Sequence, residues 1–555
     1  MVTLLVLLAC VPKKAVPDAG SGSDSALTTD SSDPMADTGD SSDSTDSTSA
    51  DSGPPVPDAD GDGYGNAASG GTDCDDADPN VHPGADEWCD TKDWNCDGEP
   101  YDGGACGKPQ DLGILADGTW DGFTDTAIHH QYVGAFVGDL DEDGCDDIVL
   151  GGTNAAADGS TSDDGSFYFV RGGQPLSSGM TNSATSSASW HGNSGFSASL
   201  GGVRPAGDVD GDGYPDLWLM ASDYSGILAL ALGPASRWSA GKDLTAADIL
   251  WYGDYYRDGF PNNFYPATDV DMDGDGLSDA VFFSQTDGGD GSGSLYLIYG
   301  SADIASTPVR SAADTTKIPC AEAYDVATGD ITGDGVPDIV VGRSWGNGDI
   351  LIDGVDLPTA DGVNCDPLAR TVVSGPDDLG SWGNGVAVVG DWDGDGYDDW
   401  VTTSNRWVDY PASGEVYVLS GAATRSAGSA SFFPDLIQVS FVDTTADGEL
   451  GFAYPHAVAD LNGDGVAELG TSLEADSLIL PSGRYTGLDQ ELPTETLDLA
   501  GAEGESMGVL GPSAGDFDGD GVTDILAGGS SGNGGLGREY IWLGGGIPWD
   551  DPSAW

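Results

Sequence analysis

Apolar runs of three to six residues, broken by polar segments rich in Gly, Asp and Ser, recur from about residue 148 to the end of the chain. Runs this short and this rich in Val, Ile, Phe, Tyr and Trp predict strands, not helices. One set lies at 148–150, 217–220, 280–283, 339–341 and 525–527. A second set follows at 167–170, 227–232, 295–299, 350–352, 416–419, 478–480 and 540–543. A weaker run comes later in places, as at 247–251 and 370–373. The runs therefore belong to a repeated supersecondary unit.

The polar breaks ahead of the first set share a nine-residue pattern, Asp at positions 1 and 5, Asp, Asn or Thr at 3, Gly at 6 and Asp or Glu at 9. Seven copies have first positions 69, 63, 59, 61, 69 and 56 residues apart. The candidate ligands are the side chains at positions 1, 3, 5 and 9 and the backbone carbonyl at 7, a set of oxygens able to wrap one hard cation. In copy 1 they are Asp139, Asp141, Asp143, Cys145 and Asp147. Copy 2 has Asp208, Asp210, Asp212, Tyr214 and Asp216, and copy 3 has Asp271, Asp273, Asp275, Leu277 and Asp279. Copy 4 has Asp330, Thr332, Asp334, Val336 and Asp338, and copy 5 has Asp391, Asp393, Asp395, Tyr397 and Asp399. Copy 6 has Asp460, Asn462, Asp464, Val466 and Glu468, and copy 7 has Asp516, Asp518, Asp520, Val522 and Asp524. The first half follows EF-hand logic, but strand-like runs flank the loop where an EF-hand has helices. Calcium is preferred to magnesium, because cages made wholly of protein oxygens suit the larger ion. Thr332 in copy 4, and Asn462 with Glu468 in copy 6, are expected to weaken those two sites.

Four strands per repeat, seven times, predicts an all-β fold, a seven-bladed β-propeller with metal-binding loops. The segment 111–116 reads like 496–500 ahead of copy 7 and is expected to close the ring, leaving no open edge. With Gly195-Phe196-Ser197-Ala198-Ser199-Leu200-Gly201 ahead of copy 2, Leu450-Gly451-Phe452 in repeat 6 and Met507-Gly508 in repeat 7, residues 108–555 resemble FG-GAP (VCBS) repeats, the unit of the integrin α-subunit propeller. The resemblance implies calcium in loops joining the first two strands of each blade, about seven ions, and a protein or glycan partner on the face away from those loops.

Residues 58–107 carry an eighth acidic loop with Asp58, Asp60, Asp62 and Tyr64 as candidate ligands, followed by Asp73-Cys74-Asp75-Asp76 and Cys89-Asp90-Thr91-Lys92-Asp93-Trp94-Asn95-Cys96. This segment resembles the cysteine-bearing metal-binding motif of MopE-like bacterial surface proteins, which implies one or two further calcium ions. Cys74, Cys89, Cys96 and Cys106 show no paired C-x-x-C spacing, so disulfides are expected in place of zinc, with three connectivities open. Residues 11–57 are Ser, Asp and Thr rich without an aromatic, a composition expected to form a disordered linker. Ahead of it, Leu7-Leu8-Ala9-Cys10 in residues 1–10 resembles a bacterial lipobox, although no Lys or Arg precedes the apolar run. Cys10 is then the expected lipidation site, and the protein an exported, lipid-anchored one at the outer membrane or cell surface.

Composition narrows the functions that fit. With 95 Asp and Glu against 17 Lys and Arg the net charge is −78, which excludes nucleic acid or anionic lipid as a partner held by surface charge. The five histidines, His82, His129, His130, His191 and His456, form no HExxH or H-x-E pattern, and no GxSxG or phosphate loop is present. No catalytic residue or organic cofactor is therefore expected. The 15 Trp, with Trp190, Trp251, Trp345 and Trp382 read as lying near blade junctions, suit either sugar stacking or wedging between blades. The expected function is calcium-dependent adhesion or recognition at a cell surface. The alternatives are a calcium-dependent polysaccharide lyase and a passive surface-layer component.

Overall fold

The protein was studied as a computed structural model. It describes residues 116–121, 131–152, 165–178, 180–181, 185–192, 200–221, 226–253, 267–287, 292–343, 348–358, 363–375, 381–406, 413–427, 436–442, 455–457, 459, 461, 467–473, 476–480, 487–491, 497–499, 512–529 and 538–544, with Tyr64, Cys74 and Cys96. Residues 1–10, the linker 11–57 and most of 58–107 lie outside the described residues.

The strands assemble into seven sheets, numbered here by the acidic copy each contains. Sheet 1 runs Gln131–Gly138, Asp147–Gly152, Ser166–Val170, Ala188–His191, and sheet 2 runs Leu200–Gly207, Asp216–Ala221, Ile227–Ala231, Ile249–Tyr252. Sheet 3 is Ala267–Val270, Asp279–Asp287, Ser292–Ile298, Thr316–Pro319, and sheet 4 is Ala323–Gly329, Asp338–Arg343, Asp349–Ile352, Ala369–Val373. Sheet 5 is Ser381–Gly390, Asp399–Arg406, Ser413–Leu419, Ile437–Val442, and sheet 6 is His456–Ala457, Leu469–Leu473, Asp476–Leu480, Leu497–Leu499. In sheet 7, Ser513–Gly515, Asp524–Gly529 and Arg538–Trp542 are joined by Gly118–Asp121 from the other end of the propeller.

The expectation of a seven-bladed propeller is corrected by this connectivity. Six repeats, not seven, fold into a complete blade of their own, and the seventh sheet is composite. Its fourth strand pairs antiparallel with Arg538–Trp542, Gly118 opposite Ile541 and Asp121 opposite Arg538. The closing strand is also displaced from its expected place: residues 111–115 lie outside the described residues, and Ala116 precedes the strand. Four sheets hold a fifth strand that the sequence pattern did not reveal. Met180–Thr181, Lys242–Asp243, Val309–Ser311 and Gly487–Glu491 each pair in parallel with the outer strand of the preceding sheet. These latches are two to five residues long, too short to leave a periodic signal.

Apolar clusters lie between successive sheets. Trp190, Leu217 and Leu219 share one between sheets 1 and 2, and Trp218, Trp251 and Phe282 another between sheets 2 and 3. The cluster of Trp120, Phe136, Ile148 and Ile541 joins sheet 7 to sheet 1. Middle strands are thus covered on both faces, which is why Asp216–Ala221 and Ile227–Ala231 are buried throughout and read as continuous apolar runs instead of alternating ones. Trp190 and Trp251 wedge between blades from within strands, a correction to the reading that they lie near blade junctions and not mid-strand. Trp345 lies outside the described residues. Cys320, just past the last strand of sheet 3, is bonded to Cys365, which opens a short helix ahead of the last strand of sheet 4. Among the described residues no helix is long and apolar enough to cross a membrane. A second unit comprises residues 12–88 and 92–104, and in it Cys74 is bonded to Cys96.

Candidate metal centres

Each acidic copy bridges the first and second strands of its sheet, and the loop is shaped by its own carboxylates. In copy 3, Asp271 Oδ1 accepts from the Gly274 and Asp275 N–H groups at 2.7 and 3.1 Å, and its Oδ2 accepts from Gly276 N–H at 2.9 Å. Asp275 Oδ1 accepts from Leu277 N–H at 2.9 Å. Such short-range side-chain to backbone bonds favour a turn over continued strand. The chain meets the curvature with glycines at positions 4 and 6, where Gly274 and Gly276 have φ of 76° and 89°. Copy 1 is the exception, with Glu142 at position 4 and φ 61°.

Position 9 has a role that spacing alone did not show. All seven position-9 carboxylates, Asp147, Asp216, Asp279, Asp338, Asp399, Glu468 and Asp524, are 0 to 2% exposed. One oxygen of each accepts from an N–H early in the loop, those of Leu140, Val209, Met272, Thr332, Trp392, Leu461 and Phe517, at 2.6 to 3.0 Å. For the six aspartates the other oxygen accepts from a glycine just past the third strand, Gly172, Gly233, Gly300, Gly354, Gly421 or Gly544, at 2.7 to 3.0 Å. The recurrent Gly after the second apolar set was the available signal.

Burial is the main reason these carboxyls are hard to ionise. It pushes Asp147 up to about 8, Asp216 and Asp524 to about 7, and Asp279, Asp338 and Asp399 to about 6, with the two N–H donors opposing the shift. Burial, reinforced by neighbouring aspartates, also raises Asp141, Asp210, Asp393 and Asp518 at position 3. A bound cation would reverse this balance by stabilising the charged forms.

Five copies bring three carboxylates together, with ligand oxygens all within 4.8 Å of one another: Asp139/Asp141/Asp147, Asp208/Asp210/Asp212, Asp271/Asp273/Asp279, Asp391/Asp393/Asp399 and Asp516/Asp518/Asp524. Copy 2 thus gathers position 5 in place of Asp216. Position 5 of the other four, Asp143, Asp275, Asp395 and Asp520, instead accepts from the N–H at position 7, that of Cys145, Leu277, Tyr397 or Val522. Tyr214 N–H makes the same bond to Asp212, which is also in its triad. Copy 4 forms no such group, since Thr332 removes one carboxylate, although Asp334 still accepts from Val336 N–H. In copy 6 only Leu461 and Glu468, with Ala467, are described, and Asp460, Asn462, Asp464 and Val466 lie outside the described residues. Asp58, Asp60 and Asp62 lie outside them too, while Tyr64 is exposed. Cys145 is disulfide-bonded.

Neighbouring loops are bonded to each other. Asp146 N–H donates to Asp516 O at 2.7 Å while Asp146 Oδ2 accepts from Asp516 N–H at 2.8 Å, and Asp398 and Asp330 repeat the pair at 3.3 and 2.8 Å. Ser278 N–H donates to Asp208 O at 3.0 Å. His191 lies between its own strand end and the latch that pairs with it, its ring nitrogens 2.8 Å from Gly192 O and 3.2 Å from Gly241 O.

The family model Cu-binding MopE, described as "Putative metal-binding motif", matches residues 73–100, the stretch that holds the Cys74–Cys96 bond. No curated protein matches the chain.

Proposed function

We propose that the chain is a calcium-loaded recognition module of the FG-GAP type, carried outside the cell on a lipidated Cys10, whose propeller binds a protein or glycan. The observation that carries the reading is the recurrence of one oxygen cage, three converging carboxylates at the tip between the first two strands, in five separate sheets. Hard oxygen donors without His or free thiolate suit calcium. The ions neutralise carboxylates whose mutual repulsion opposes folding, so cation binding and ring stability are linked.

The test is metal analysis of the full chain after gel filtration, with melting in calcium and in EDTA. Several calcium ions per chain are expected, and EDTA should lower the melting temperature by about 10 °C or more, because each saturated site adds about 2 to 3 kcal/mol. A metal-free protein with unchanged melting sinks the reading. Residues 73–100 match a model named for copper, so the same analysis reads copper: calcium there supports one ion class throughout, and copper separates that segment from the propeller. Binding on a glycan array, compared with and without calcium, tests the recognition role.

A further inference from the structure

Among the described residues, copy 1 is the loop with an ion pair to one of its candidate ligands; Arg425 meets copies 4 and 5 only at the Thr332 carbonyl and the Tyr397 ring, and Arg237 acts on Asp210 of copy 2 without pairing with it. Arg171 Nη1 lies 2.7 Å from Asp141 Oδ2, and the Asp141 side chain is only 3% exposed. Arg171 Nε is buried without a hydrogen-bond partner, so the hold of the guanidinium on the loop is its ion pair with Asp141. Asp141 belongs to the converging triad with Asp139 and Asp147. Arg171 directly precedes Gly172, the glycine that donates to Asp147. The residues at the matching place in the other described blades are Leu232, Tyr299, Asp353, Ser420 and Leu543, none of them cationic. Position 3 in copies 3 and 5, Asp273 and Asp393, is exposed, while Asp210 and Asp518 in copies 2 and 7 are half-buried without such an ion pair.

We propose that Arg171 is the resident counter-cation of loop 1, holding the loop closed and partly charge-balanced without metal and lowering its affinity for a divalent ion below that of loops 2, 3, 5 and 7. The inference rests on the reading of the loops as cation sites. The charge argument is direct. A divalent ion among Asp139, Asp141 and Asp147 sits within a few ångströms of the guanidinium, and repulsion at that range costs more than the half-exposed ion pair gains. To enter, the ion must displace Arg171 from Asp141. Loop 1 is therefore the last of the five to load.

The experiment titrates the ion-stripped full chain with calcium by calorimetry and equilibrium dialysis, for wild type, Arg171→Gln, Arg171→Lys and Asp210→Asn. Arg171→Gln is expected to tighten one site by about tenfold or more, with Arg171→Lys close to wild type. Arg171→Gln should also melt below wild type when ion-free and regain the difference in millimolar calcium. Identical isotherms for Arg171→Gln and wild type overturn the proposal, as does a melting gap that calcium leaves unchanged, since a packing role alone gives that result. Asp210→Asn, in loop 2, is expected to lose one site. If it loses none while all variants stay folded, the cation reading itself fails and this inference falls with it.

Discussion

Glu539 sits in the third strand of sheet 7, opposite Trp120 on one side and Gly528 on the other. Its carboxyl is fully buried, and neither oxygen has a hydrogen-bond partner. Gly134 and Gly528 make the room, since a Cβ at either would lie 2.7 Å from a carboxyl oxygen. Burial alone pushes Glu539 from 4.5 up to about 8. The folded protein therefore keeps a proton that the unfolded chain releases above about pH 4.5. The cost to stability is absent below that pH, grows up to about pH 8 and is constant above it. Glu539→Gln, of the same shape and unable to ionise, should flatten this part of the profile, and denaturant unfolding from pH 5 to 9 measures it. Parallel profiles for the two proteins would show that Glu539 is ionised or solvated in the fold.

At the level of loop and strand, the unit is a three-way joint of acidic turn, buried position-9 carboxylate and glycine N–H. Close approach explains why the third partner is Gly: a Cβ at Gly421 would lie 2.0 Å from Asp398 O, and one at Gly354 2.1 Å from Pro337 O. Gly421→Ala should cost about 1–3 kcal/mol in denaturant unfolding, because backbone must shift to admit the methyl. A change below about 0.5 kcal/mol would show that the joint yields freely. Much of this was legible beforehand. The apolar sets at 167–170, 350–352 and 416–419 fall within observed strands, and Asp at positions 1 and 5 follows from the needs of the turn. The division of labour was hidden. Sequence spacing cannot show that a carboxylate converging on a candidate cation site also gives its oxygens to backbone N–H groups, and position 9 was read only as a ligand. Arg171 escaped notice because its partner lies 30 positions earlier in a different turn.

For the whole molecule, an excess of 78 negative charges makes the unliganded protein the state most sensitive to its surroundings. Screening shortens to about 3 Å in 1 M salt. Raising sodium chloride should therefore raise the melting temperature of the ion-stripped protein clearly more than that of the calcium-loaded one. Equal salt effects on both would show that the acidic tips do not oppose the fold. Closure is the other global property, and Trp120 carries much of it: 1% exposed, it packs edge-on to Phe517 at 6.4 Å and donates from Nε1 to Thr185 Oγ1 at 3.1 Å. Trp120→Ala is expected to cost about 3–5 kcal/mol. A ring was legible from copies at near-even spacing, and closure from the likeness of 111–116 to 496–500. The strand used was not legible, because four residues, Gly-Thr-Trp-Asp, carry too little pattern to outrank the more apolar 111–116.

The strand Gly118–Asp121 lies between two partners that are far apart in the chain, residues 538–541 on one side and 180–181 on the other. Tension transmitted through the polypeptide ahead of residue 118 thus arrives at a seam gripped from both flanks, one grip from the last blade and one from the first. Peeling that segment away means parting both at once, so the residues that complete the circle also set how firmly it resists a pull.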